Sequence, residues 1–141
     1  MVTDLTPGST RLAPMDDSGG HAAARILIVD DEPSIRLLCR VNLELEGHEV
    51  LEASSLATAR ATLEEEVVDV VVLDVHLHNE RSDALVAECH ARRPPIPVML
   101  VTGSFEITDP GLVEADAILP KPFELGTFLA TVHDLARVHA R

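Results

Sequence analysis

Five residues of this chain are of the types needed to handle an oxygen-rich, charged ligand, and each stands at the end of an apolar run: Asp30, Asp31, Asp74, Thr102 and Lys121. Three carboxylates brought together repel one another, which raises their pKa values and invites a divalent cation. Mg2+ fits, being satisfied by one or two carboxylates, a carbonyl and several waters. The Thr102 hydroxyl can donate to an oxyanion, and the Lys121 ammonium is a compact cation for the same purpose. Lys121 is the only lysine in the chain. A carboxylate nucleophile, a metal, a hydroxyl donor and a cation are the parts needed to accept a phosphoryl group. The loose transition state of that reaction is served mainly by positioning and charge neutralisation.

The elements that must position these groups are legible from hydropathy. Val68 to Leu73 is a nearly unbroken apolar run, as in a strand buried on both faces, and it ends on Asp74. Arg25 to Val29 is a second such strand, ending on Asp30 and Asp31. Pro33 then suits the first turn of a helix running to Glu46, with Ile35, Leu38, Cys39 and Leu43 on one face and Gly47 closing it. Leu37, Val41 and Leu45 add a second apolar row. It reads first as breadth of burial and, as the sharper alternative, as a docking surface. Glu49 to Ala53 is half polar, as an edge strand should be. Ser54 or Ser55 caps a helix to about Glu66. After a loop through His78, Asn79 and Glu80, Ser82 opens a helix with Leu85, Val86 and Cys89 inward. Val98 to Val101 is a fourth strand, ending on Thr102. Only a short helix around Leu112 fits before a fifth strand, Ala115 to Leu119, which leads into Lys121. The last helix runs from about Glu124 with Phe128, Leu129, Val132 and Leu135 inward. Five alternations of strand and helix predict an α/β fold with a doubly wound parallel sheet, whose ligand site lies beyond the C-terminal strand ends.

Composition bounds the rest. At 141 residues and 46% hydrophobic, the chain can bury one sizeable core. A net charge of −13 argues against nucleic acid as a direct partner and leaves contact with another protein. No apolar run is long enough to span a bilayer and no export signal is present, so no membrane partner is expected and a cytoplasmic location follows by default. Cys39 and Cys89 read as reduced thiols near the core. Residues 1–23 lack a sustained hydrophobic period and read as a disordered leader, with Met15 as an alternative start to Met1.

The blocks ILIVDDEPSIR, VVVLDVHL, VMLVTGS and ILPKPF resemble those of the receiver domain of bacterial two-component response regulators, over residues 24–141. The resemblance implies a flavodoxin-like five-stranded sheet of order 2-1-3-4-5, as in other receiver domains. It implies Asp74 as phosphoacceptor, taking its phosphoryl group from a histidine kinase or phosphotransfer protein. It also implies direct Mg2+ ligation by Asp31, ligation by Asp30 mostly through water, and a carbonyl ligand from His76. Thr102 would turn toward the phosphoryl oxygen and Lys121 would pair with it. The Lys121–Pro122 bond would be cis, and Cys39 and Cys89 would lie on opposite faces of the sheet.

The sequence also departs from that family. Ile118 replaces the usual aromatic three residues before the lysine, and His78 and Ser82 replace the usual proline and glycine after the phosphoacceptor. The shortened fourth helix points to a non-standard output face. Since the chain ends with the last helix, the expectation is a single-domain regulator that signals through an unknown downstream protein target, with a homodimer among the admitted assemblies. The alternative is a pseudo-receiver that binds its partner without phosphorylation. A phosphohydrolase is disfavoured, because the position two residues after Asp74 is His76 rather than a second carboxylate. No enzymatic activity is expected beyond self-phosphorylation and self-dephosphorylation. His76 and His78 lack a third ligand and read as loop histidines.

Overall fold

The computed structural model describes residues 23–77, 80–82, 84–103 and 114–138, with backbone alone at residues 80, 81 and 138. The expected leader, apart from Ala23, and the expected short helix around Leu112 lie outside the described residues. In chain order the elements are β1 (Arg25–Val29), α1 (Pro33–Leu45), β2 (Glu49–Ala53), α2 (Leu56–Glu65), β3 (Val70–Asp74), β4 (His76–Leu77), β5 (Glu80–Arg81), α3 (Ala84–His90), β6 (Val98–Thr102), β7 (Ala117–Pro120) and α4 (Leu125–Val138).

Five of these strands form one parallel sheet in the order β2-β1-β3-β6-β7. Numbered by its own strands alone, that order is the expected 2-1-3-4-5. The apolar runs of β1, β3 and β6 occupy its centre and are almost wholly buried, as strands covered on both faces must be. Half-polar β2 takes one edge. The remaining two strands, β4 and β5, pair with each other as a small antiparallel hairpin directly after β3.

Alternate strand residues point to opposite faces, and two cores result. Leu27, Val71, Leu73 and Leu100 pack beneath α2 and α3, with Ala59, Leu63, Leu85 and Cys89. Ile26, Ile28, Val72 and Met99 pack beneath α1 and α4, with Cys39, Leu43, Phe128 and Val132. Cys39 and Cys89 therefore lie on opposite faces, free and buried, as the resemblance implied.

Local signals account for the boundaries. Pro33 opens α1, and Gly47 follows it at a φ of 94°, a left-handed conformation that costs glycine little. Ser55 is the residue that caps α2, its Oγ accepting from the Thr58 N–H at 3.1 Å. A chain of imidazoles ties α4 to the turn after α1. His48 is buried; its Nδ1 accepts from the Ala24 N–H at 3.0 Å, so the His48 proton lies on Nε2, 2.9 Å from His133 Nδ1. His133 Nε2 in turn lies 2.9 Å from Glu46 Oε1.

Two expectations need correction. The second apolar row of α1 does not broaden its buried face: Leu37, Val41 and Leu45 are 60%, 45% and 78% exposed, and Leu38, expected inward, is 44% exposed. Only one narrow stripe of a helix lying flat on a sheet meets its core, and here Cys39 and Leu43 supply it. Ser82 does not cap α3, which begins at Ala84; its side chain turns back to β3 instead.

Candidate functional site

Parallel strands all finish on one edge of the sheet, so the residues that follow them share a crevice. Asp30 follows β1, Asp74 and Thr102 close β3 and β6, and Lys121 follows β7. The Lys121 N–H donates to the Thr102 carbonyl at 2.7 Å, carrying the β6–β7 ladder one residue past the strand, and the Lys121–Pro122 peptide is cis. Asp30, Asp74 and Thr102 are all buried.

The side chains converge. Oxygens of Asp30, Asp31 and Asp74 lie within 4.8 Å of one another, forming the one such potential metal-holding group among the described residues. Lys121 Nζ sits 3.2 Å from Asp74 Oδ2 and 3.4 Å from Asp30 Oδ2, with Glu32 Oε1 at 3.9 Å. Burial raises the pKa of Asp74, and the neighbouring Asp30 charge raises it further; Lys121 and the His76 N–H pull in the opposite direction without cancelling the rise. Burial would lower the pKa of the Lys121 ammonium, but Asp30 and Asp74 together raise it above its usual value. Lys121 thus lies between Asp30 and Asp74 in a cluster that also holds Asp31, and a hard divalent cation is the charge this oxygen donor set accommodates.

Backbone contacts hold the acids in place. Asp30 Oδ1 accepts from the Glu32 N–H at 2.9 Å, while Arg36 Nη1 donates to the Asp30 carbonyl at 2.7 Å. Asp74 Oδ1 accepts from the His76 N–H at 3.2 Å. The Val75 N–H donates to the Val101 carbonyl at 3.0 Å, extending β3 past Asp74.

His76 takes its place from the hairpin. Bonded and non-bonded pairs alternate along an antiparallel ladder. The Ser82 N–H donates to the Val75 carbonyl at 3.0 Å, which makes the neighbouring His76–Arg81 pair a non-bonded one. Both backbone groups of His76 then turn away from Arg81. The N–H meets Asp74, and the carbonyl leaves by the same edge of the hairpin. The His76 imidazole itself is exposed, whereas Leu77 is buried beneath it in the core. His78 lies outside the described residues.

Six of the residues singled out in the sequence thus stand at one strand edge: Asp30, Asp31, Asp74, His76, Thr102 and Lys121. Sequence reasoning missed Arg36, which steadies the Asp30 backbone, and the role of Ser82. Arg36 carries no signal of its own in the sequence, since it is one arginine among ten on a helix. Ile118, on β7, packs partly buried against the α2–α3 core.

The family described as "Response regulator receiver domain" matches residues 26–133. The transcriptional regulatory protein TcrA of Mycobacterium tuberculosis is 34% identical over 139 residues, covering 96% of this chain and 55% of its own length. The alkaline phosphatase synthesis transcriptional regulatory protein PhoP of Bacillus subtilis is 34% identical over 102 residues, covering 70% of this chain and 42% of its own. This chain thus spans roughly half of these relatives. Among solved structures, a CheY-like receiver domain protein from Methanospirillum hungatei superposes with a TM-score of 0.76 at 30% identity, covering 84% of this chain and 97% of that one. TrrA of Thermotoga maritima, solved in complex with Mg2+ and BeF, gives 0.73 at 27% identity, covering 79% and 98%.

Proposed function

Since this chain belongs to the response regulator receiver domain family, we propose that it is a phosphorylated switch in which Asp74 accepts a phosphoryl group. The donor is the phosphohistidine of a histidine kinase or phosphotransfer protein. The observation that carries this reading is the convergence of three carboxylates to within 4.8 Å with Lys121 Nζ 3.2 Å from Asp74. An oxygen of Asp74 attacks phosphorus, the P–N bond breaks, and the bonding pair leaves with the donor imidazole. Asp30, Asp31, Asp74 and the His76 carbonyl would hold Mg2+, which when bound neutralises charge on the phosphoryl oxygens.

The chain's own groups do the rest. Lys121 supplies a fixed positive charge beside the accepting oxygen, and Thr102 supplies a hydroxyl donor at the neighbouring strand end. Burial of Asp74 limits water around the accepting carboxylate, and the His76 N–H holds one of its oxygens in a set orientation. Signalling then proceeds by protein contact, with an acidic surface that disfavours nucleic acid. The position two residues after Asp74 holds His76 in place of a second carboxylate, so turnover on external phosphate esters is not expected.

The test is intact-protein mass after exposure to acetyl phosphate and Mg2+, beside Asp74→Asn. Gain of one phosphoryl group by the wild type alone is the expected result. Absence of modification in a protein that still binds Mg2+ would favour a second reading, a phosphorylation-independent binding module. Ile118 favours that alternative, because it replaces the aromatic residue expected at the output face.

A further inference from the structure

Ser82 is 0% exposed and sits at the base of the β4–β5 hairpin. It makes contacts to two consecutive carbonyls of the segment that carries the phosphoacceptor. Its N–H donates to the Val75 carbonyl at 3.0 Å, and its single hydroxyl proton is shared between that same carbonyl, 2.9 Å from Oγ, and the carbonyl of Asp74. A serine ahead of a helix ordinarily serves the helix, yet this hydroxyl is directed wholly backward. The hairpin it closes has only two residues in each strand, too few to hold its own register in water. Among the described side chains its anchors are Leu77, buried in the α2–α3 core, and Ser82.

The register matters because it sets the direction of the His76 carbonyl. Pairing of Ser82 with Val75 makes His76–Arg81 a non-bonded pair and sends the His76 carbonyl to the edge where its N–H already meets Asp74. We infer that Ser82 is a positioning residue for the metal site: by clamping the hairpin base to Asp74 and Val75 it holds the His76 carbonyl in place for a divalent cation. This inference rests on the reading of Asp30, Asp31, Asp74 and His76 as the cation's ligands.

The experiment is a calorimetric titration of the full chain with magnesium chloride, for wild type, Ser82→Ala, Ser82→Cys and Val132→Ala, each paired with a thermal melt in chelator. Groups that orient metal ligands typically contribute about 10–100-fold to affinity. Ser82→Ala should therefore weaken Mg2+ binding about tenfold or more. Ser82→Cys keeps the side chain's shape with a weaker donor, should fall between, and serves alone if the alanine variant does not fold. Val132→Ala removes core packing on the α1–α4 side, so it should lower the melting temperature while leaving Mg2+ affinity unchanged. Wild-type affinity in both Ser82 variants, or equal losses in Ser82→Ala and Val132→Ala, would overturn the positioning role and leave the site reading intact. A wild-type protein that binds no Mg2+ would instead overturn the site reading, and the inference with it.

Discussion

Asp74 is held in a state that costs stability in the metal-free protein. Burial and the charge of Asp30 raise its pKa above the unfolded value, with Lys121 and the His76 N–H only partly compensating. A carboxyl with a raised folded pKa binds more protons folded than unfolded over the interval between its two pKa values. Stability therefore falls as pH climbs from the unfolded value of about 3.9 through the raised one, and stays reduced above it. Asp74→Asn removes that cost. Its melting temperature in chelator should exceed wild type at neutral pH, and the gain should vanish at pH about 3, below the unfolded carboxyl value. A lower melting temperature at neutral pH would mean that the attraction of Lys121 outweighs burial and Asp30 together. The thiols behave differently. Cys39 and Cys89 are pushed up to about 12, by burial first, and stay protonated at neutral pH.

Among the elements, α1 is fastened to the edge strand β2 by ion pairs rather than by breadth of packing. Glu52 receives Arg36 Nε at 2.9 Å and Arg40 Nη1 at 2.7 Å, and Arg40 also reaches Glu44 at 3.1 Å. Burial alone would raise the Glu52 pKa, but the hydrogen bonds from Arg40 and Arg36 hold it below its usual value. A carboxyl with a lowered folded pKa contributes stability above its unfolded value and loses it as pH falls through the folded one. Glu52→Gln should therefore cost about 0.5–1 kcal/mol in urea unfolding at pH 7, as partly exposed pairs do, and nothing measurable near pH 2. An equal cost at both values would show that packing, not charge, is what the glutamate supplies.

Both the elements and the acids at their ends were readable where hydrophobic period runs long enough to speak. Five residues from Arg25 to Val29 suffice for a buried strand, and the residues after such strands fall at one edge by topology alone. Strands of two residues carry no period, so β4 and β5 were not legible between His76 and Arg81. Ser82 carries the pattern of a helix start because a hydroxyl ahead of an apolar pattern has the same appearance whichever way it donates. Periodicity also placed Leu37, Val41 and Leu45 on one row of α1 without saying whether that row meets a core. The pairing of His48 with His133 is out of reach for the same reason, since 85 residues separate two histidines that share one hydrogen bond.

Across the molecule, two cores flank the sheet and α1 contributes little to either beyond Cys39 and Leu43. The outer row of Leu37, Val41 and Leu45, with Leu38 beside it, stays largely in water and forms the principal set of exposed large apolar residues among those described. Fold stability does not explain such a row, because transfer of these side chains out of water is scarcely achieved here. The consequence is a contrast within one helix. Leu43→Ala empties a fully buried site and should cost about 2–5 kcal/mol. A combined Leu37→Gln, Val41→Gln, Leu45→Gln variant should stay within about 0.5 kcal/mol per substitution of wild type, the range of surface changes. Urea unfolding of the two variants side by side decides the matter. A large loss in the triple variant would mean that the row is covered in solution by something that stabilises the fold, and dilution of the wild type over a range of concentrations would then distinguish a second copy of the chain from a segment of the same one.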